Sequence, residues 1–156
     1  MRISERVDNA VRAMAELAAT DDGGPLTAEV IGTRQGVSTK YLHDILRDLK
    51  RAELLRTKRG PDGGFSLSRP SDSITLADVF RAIDGPLADV HDESLRALSY
   101  AAPAEALPDV WMAIRASLRR VLDTVTLADL VAGDLPPDVS ALAVEYRRDT
   151  DARHPG

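Results

Sequence analysis

The sequence predicts a mainly α-helical fold with one small β-hairpin. Apolar residues recur at helical spacing in three stretches ahead of the hairpin. The turn-forming cluster Gly60-Pro61-Asp62-Gly63-Gly64 then divides two short strand-like runs, and one long apolar stripe follows Pro108.

Val7, Val11, Met14, Leu17 and Ala18 place a first helix over residues 4–20, stopped by Asp21-Asp22-Gly23-Gly24-Pro25. Thr27 suits the N-cap of a short second helix with Val30 and Ile31 on one side, and Gly36 supplies the left-handed residue that ends it. Ser38 caps a third helix over 39–52, whose Leu42, Ile45, Leu46 and Leu49 make a buried stripe. With only Val37 between Gly36 and Ser38, this is a helix, a tight turn and a helix. Residues 54–58 and 65–67 read as strands around the Pro61-Asp62-Gly63 turn, where proline fixes φ and glycine accepts the positive φ that a β-branched residue would resist. A hairpin directly after such a helix pair makes the wing of a winged helix-turn-helix domain.

Thr75 and Asp78 form a capping-box pattern for a helix through Leu76, Val79, Phe80 and Ile83, terminated by Gly85-Pro86. Residues 87–107 carry no periodicity and read as loop. Pro108 then opens a helix bearing Val110, Trp111, Ile114, Leu118, Val121, Leu122 and Val125, too long a stripe for so small a core to cover. Thr126 and Asp129 announce a last short helix before Gly133, and Pro136-Pro137 opens a polar tail with a little helix near 141–148 that frays. The expected organisation is a DNA-binding domain over 1–85, a loop and dimerisation helix over 86–133, and a flexible tail over 134–156.

Composition removes several function classes. Without cysteine there is no disulfide, thiol nucleophile or thiolate-held metal cluster. His43, His91 and His154 lack metal-ligand spacing, no nucleophile–base order or phosphate loop stands out, and the chain reads as no enzyme. No apolar run is long enough for a membrane span and the N-terminus lacks a signal-peptide core, so no membrane partner and a cytoplasmic location are expected. The net charge of −5 hides an uneven distribution. Residues 34–69 hold nine Lys/Arg against four Asp/Glu, whereas the remainder holds eleven against twenty-one. The basic excess coincides with the helix pair and wing, where phosphate contact requires it.

The run Gly36-Val37-Ser38, Tyr41-Leu42, Ile45-Leu46, Leu49, Leu54-Leu55, Arg59-Gly60, Gly63-Gly64-Phe65 and Ile74-Thr75-Leu76 resembles the Rrf2 family of bacterial transcription regulators, over about residues 1–133. The resemblance implies a homodimer joined by the long helix, with interface candidates Trp111, Ile114, Leu118, Val121 and Val125, presenting two recognition helices and two wings to a roughly palindromic operator on double-stranded DNA. Candidate DNA-contact residues are Ser38, Thr39, Lys40, Tyr41, His43, Asp44 and Arg47 on the recognition helix and Lys58, Arg59 and Gly60 on the wing. Arg59 suits a narrow minor groove, and Arg69 a phosphate. The bland readings are that His43 is simply solvated, that Asp44 pairs with Lys40 or Arg47, and that Trp111 is core.

Many family members hold an iron-sulfur cluster through three cysteines in the segment matching 87–107, some with a first-helix carboxylate at the position of Asp8. Here that segment offers Ser94, Ser99 and Ala101-Ala102, so the chain resembles the cluster-free members and no cofactor is expected. Asp8 reads instead as a first-turn acid favoured by the helix dipole. The expected function is a sequence-specific regulator, acting as a repressor under an unidentified protein or small-molecule effector. The alternative is a protein- or metabolite-binding module derived from such a regulator, with residual DNA binding.

Overall fold

A computed structural model describes residues 3–20, 24–86, 95 and 97–153, the last three by backbone alone. The helices are α1 (Glu5–Ala18), α2 (Ala28–Gln35), α3 (Thr39–Arg51), α4 (Leu76–Asp84), α5 (Leu107–Leu122), α6 (Leu127–Ala132) and α7 (Pro137–Arg153). Strands β1 (Leu55–Lys58) and β2 (Gly64–Leu67) pair antiparallel, Leu55 opposite Leu67 and Lys58 opposite Gly64.

The helix starts follow local chemistry. The hydroxyls of Ser4, Thr27 and Ser38 each accept an N–H from the first turn of α1, α2 and α3. Thr75 with Asp78, and Thr126 with Asp129, form complete reciprocal capping boxes. Gly36 and Gly133 adopt left-handed conformations, φ 66° and 69°, after α2 and α6.

The core lies where α1, α2, α3 and α4 meet under the hairpin. Met14, Ile31, Leu42, Ile45, Leu46, Leu49, Ile74, Val79 and Leu127 are completely or almost completely buried there. Full burial of one such side chain stabilises by about 1.5–3 kcal/mol, so the four apolar residues of α3 anchor that helix strongly. Of the second helix's expected apolar pair, Ile31 is buried but Val30 is exposed, with Ala28 and Gly32 filling the inward face. Val11 is only partly buried at the margin, whereas Val7 is inside.

The wing is pinned to the core by Leu26, which exchanges two backbone hydrogen bonds with Phe65, 2.9 and 2.8 Å. That approach explains Gly64, whose φ is 148° and whose missing Cβ would stand 2.5 Å from the Leu26 carbonyl oxygen. A Cβ on Gly63 would lie 2.4 Å from the Lys58 carbonyl oxygen, so Gly63 is required for space rather than for a positive φ. The positive φ values in this turn belong to Gly60, at 102°, and to Gly64.

The segment before α6 returns to the domain. Leu76 N–H donates to the Val125 carbonyl, Leu127 N–H donates to the Ile74 carbonyl, and α6 packs on α1. Val125 is therefore buried within its own chain, beyond the end of α5, and leaves the proposed interface stripe for the core. Described residues 97–106 hold no helix, in keeping with the expected loop, while Ser94 and His91 lie outside the described residues. The tail differs from expectation: Pro137 opens a helix that runs to Arg153 rather than a short one near 141–148. Pro137 suits the first turn, and Asp138 beside it favours the positive end of the helix dipole.

Candidate nucleic-acid interface

The recognition helix α3 divides cleanly by burial. Leu42, Ile45, Leu46, Asp48 and Leu49 face the core, while Lys40, Tyr41, His43, Asp44, Arg47, Lys50 and Arg51 are exposed. Thr39 is half-buried, and Ser38, itself exposed, spends its hydroxyl oxygen on the Tyr41 N–H at 3.4 Å. The wing residues Lys58, Arg59 and Gly60 are all exposed, and Gly60 shapes the turn that carries Arg59 outward.

Charge pairing separates these candidates. Asp44 binds Arg47 across one turn, 2.9 Å, in an exposed pair worth little in water. Among the described residues, the candidate cations Lys40, Lys58 and Arg59 have no ion-pair partner, and neither have Lys50 on the helix and Arg56 on the wing, so exposed unneutralised cations stand on both elements. His43 is placed rather than simply solvated: its ring lies 6.4 Å from the Phe65 ring, tilted by 58°, and its Nε2 is 4.0 Å from Glu29 Oε1. Backbone and Thr27 donors at the start of α2 hold the Glu29 carboxyl below its ordinary value, so an anion faces His43. Arg69 does not reach outward to phosphate. It ties the hairpin's end to α4, donating from Nη2 to Asp78 at 2.9 Å and from Nε to the Ser73 carbonyl at 3.1 Å.

Two braces that tie the helix pair to α1 escaped the sequence reading. Asp48, 8% exposed, accepts from Arg6 of α1 and lies 2.5 Å from Arg51. The Arg6 hydrogen bond holds its carboxyl below the ordinary range, against the opposing pull of burial. Arg12 of α1 clamps the end of α2, donating to Gln35 Oε1 at 2.9 Å, to the Gln35 carbonyl and to Asn9 Oδ1 at 3.0 Å. The signal for Asp48 was present: three residues after Ile45 and beside Leu49, it is an acid on the apolar stripe.

A lowered folded-state pKa means that Asp48 binds fewer protons folded than unfolded near its titration range, so its contribution is present above pH 4 and is lost as pH falls through the folded value. Asp48→Asn is expected to cost on the order of 1–2 kcal/mol at neutral pH, because the partly exposed Arg6 screens part of the pair. Urea unfolding at pH 7 and pH 3 checks this: the gap between variant and parent narrows at pH 3, and a constant gap refutes the assignment.

The long helix α5 has a different character. Its sixteen residues include none that is buried, although α4 packs against it. Trp111, Leu118, Val121 and Leu122 are half-buried, whereas Val110, Met112 and Ile114 are exposed. The expected stripe therefore splits. Ile114 remains on an uncovered face with Val110, and Trp111 and Leu118 lie partly covered. The α7 residues Leu142, Val144 and Tyr146 are exposed as well.

The profile of the Rrf2 family, described as iron-dependent transcriptional regulators, matches residues 3–133. The Mycobacterium tuberculosis protein Rv1287, provisionally named an HTH-type transcriptional regulator, is 46% identical over 154 residues, covering 99% of this chain and 96% of its own. The HTH-type transcriptional regulator CymR of Bacillus subtilis is 32% identical over 132 residues, covering 85% of this chain and 91% of its own. In structure, CymR, described as the global cysteine regulator of B. subtilis, superposes with a TM-score of 0.72 over 85% of this chain and 97% of that one. IscR of T. potens, 28% identical, superposes with a TM-score of 0.68 over 85% and 88%.

The iron in the family's description finds no thiolate here, since the chain contains no cysteine. Among the described residues no group of three or more His, Asp or Glu is placed to hold a metal ion, and Asp8 is exposed in the first turn of α1, 3.6 Å from Arg12. The residues present therefore do not fit a cysteine-held cluster. Likewise, no helix among the described residues is long and apolar enough to cross a membrane. A helix pair locked by its core stripe, a glycine-shaped wing and a family match across most of the length converge: the chain belongs to the Rrf2 family, and is a transcriptional regulator built on its winged-helix DNA-binding fold.

Proposed function

We propose that this protein binds a specific, two-fold symmetric operator as a homodimer, represses transcription from it, and does so without an iron-sulfur cluster. The observation that carries the reading is the set of unneutralised cations Lys40, Lys58 and Arg59, displayed on the exposed faces of the recognition helix and wing of a chain whose net charge is −5. An otherwise acidic surface concentrates phosphate attraction on that face and repels DNA elsewhere. Ser38, Thr39, Tyr41, His43, Asp44 and Arg47 complete the helix surface offered to base edges, and Gly60 sets the wing tip. Repression follows where such an operator overlaps a promoter.

Dimerisation supplies the second half-site. The uncovered apolar residues of α5, Val110, Met112 and Ile114, continue into half-buried Trp111, Leu118 and Val121, and a mate related by a two-fold axis would cover them. The experiment that tests the reading is a titration of fluorescent duplex DNA at several salt concentrations. Affinity falling steeply with salt supports phosphate contact by this face, and a flat response contradicts it. Replacing Arg47 by Ala is expected to flatten the logarithmic salt slope by roughly one unit if Arg47 leaves Asp44 for a phosphate.

Freedom from a cluster is tested separately. Protein purified anaerobically is expected to be colourless, with no stoichiometric iron or acid-labile sulfide. Visible absorbance with matching iron and sulfide would overturn that part of the proposal.

A further inference from the structure

The recognition helix is not alone on the face it presents. Its exposed residues Lys40, His43 and Arg47 stand at i, i+3 and i+7, within an arc of about 60°, so they form one outward stripe with His43 midway along it. Glu29, in the first turn of α2, comes up beside that stripe: its Oε1 is 4.0 Å from His43 Nε2, and both side chains are more than half exposed. The fold builds this approach. The two Leu26–Phe65 backbone hydrogen bonds fix the residues entering α2 against the wing, and the Phe65 ring flanks His43 at 6.4 Å. Helix α2, the recognition helix and the wing thus each send one side chain, Glu29, His43 and Phe65, to a single point of the surface.

The Glu29 carboxylate is ionised and held in place. Its own backbone N–H, then the Thr27 hydroxyl, keep the carboxyl below its ordinary value, and His43 adds a smaller attraction. Among the described residues it pairs with no arginine or lysine, unlike Asp44, whose charge Arg47 takes up at 2.9 Å. The 4.0 Å approach of His43 is longer than a hydrogen bond, so acceptor positions on the carboxylate stay open. In a major groove, cytosine and adenine present an exocyclic amino group, whereas guanine and thymine present a carbonyl oxygen. An ionised carboxylate accepts from the first pair of bases and repels the second, so it discriminates by penalty as well as by contact.

We propose that Glu29 of α2 is a specificity-determining residue of the DNA site: it accepts from the amino group of a cytosine or adenine beside the contact made by His43, and rejects guanine and thymine there. The inference rests on the operator reading above. It extends the reading surface from the recognition helix to the helix before it, and gives an anion a use on a face otherwise rich in cations.

The test uses the duplex that the full chain enriches from a random library, together with every single-position variant of that duplex, in competition titrations against the parent protein, Glu29→Ala and Glu29→Gln. The parent is expected to show one position in each half-site at which cytosine or adenine binds about tenfold more tightly than guanine or thymine. The preferred base of the two identifies the amino group that is read. Glu29→Ala is expected to reduce that preference to less than twofold and to leave the preferences at other positions as they were. Glu29→Gln keeps the size of the side chain, but its amide both donates and accepts, so guanine or thymine is expected to be admitted at the same position. Circular dichroism checks that both variants fold. If both variants retain the parent's preference at every position, this inference falls while the operator reading stands. It falls too if they weaken binding to all duplexes by one common factor, the result expected of an acid that acts on the fold or on phosphate alone. A parent library that stays random overturns the operator reading and this inference with it.

Discussion

Ile114→Glu is expected to leave a folded chain that sediments as a monomer and binds operator DNA at least a hundredfold more weakly than the parent. Ile114 is 42% exposed within its own chain, so glutamate there disturbs little of the domain core, yet in a two-fold interface it would bury two unpaired carboxylates against apolar surface. Leu118→Glu is the harsher change. Leu118 is already half-buried, and charge there strikes the packing of α5 on its own chain as well as on a mate. The comparison is informative for that reason: Ile114→Glu isolates association, while Leu118→Glu combines association with stability. Sedimentation, DNA titration and circular dichroism on the same preparations decide it. A folded Ile114→Glu protein that remains dimeric with parental affinity would move the interface away from this face of α5.

Arg59→Ala is expected to weaken operator binding by about 1–3 kcal/mol, roughly 5- to 150-fold, with the thermal midpoint unchanged. Arg59 is exposed at the wing and has no ion-pair partner among the described residues, so its removal leaves no buried group unsatisfied. If it enters a minor groove, the loss will be larger on sites with A·T-rich flanks, where that groove is narrow and its negative potential strong. Equal loss on all flanks would make Arg59 a phosphate contact, and no loss would remove the wing from the interface. Anisotropy titrations on paired A·T- and G·C-flanked duplexes distinguish these results.

What the sequence disclosed, and what it did not, follows the range of the interactions involved. Caps and stops are made by residues three or four positions apart, and Ser38, Thr75 with Asp78, and Thr126 with Asp129 perform in the fold the roles their spacing implied. The inward stripe of α3 was equally plain, because helical period alone fixes which side Leu42, Ile45, Leu46 and Leu49 share. Period does not say what covers a stripe. Val125 carried the same apolar signal as Ile114, but the chain turns after Leu122 and the Leu76–Val125 backbone hydrogen bond draws Val125 into the core. Arg69 was misplaced for a related reason: its partner Asp78 lies on an element whose position the local sequence does not specify. The pairing of Arg81 with Asp123 was invisible for the same cause, since one lies on α4 and the other just beyond α5 and only tertiary packing brings them together. The tail's helix was underestimated because α7 is largely exposed, so amphipathic contrast, the strongest cue for a helix, is nearly absent there.

Selective enrichment of a random duplex library by the purified protein, followed by sequencing, tests the central claim most directly. Two recognition helices on a two-fold dimer demand two inverted half-sites with centres about 34–36 Å apart, or a multiple of one helical turn. The expected result is a single enriched motif with that symmetry and spacing, whose enrichment disappears with Ile114→Glu. A library that remains random after repeated rounds, or a motif with one half-site that Ile114→Glu recovers as well as the parent, would contradict a dimeric, sequence-specific regulator.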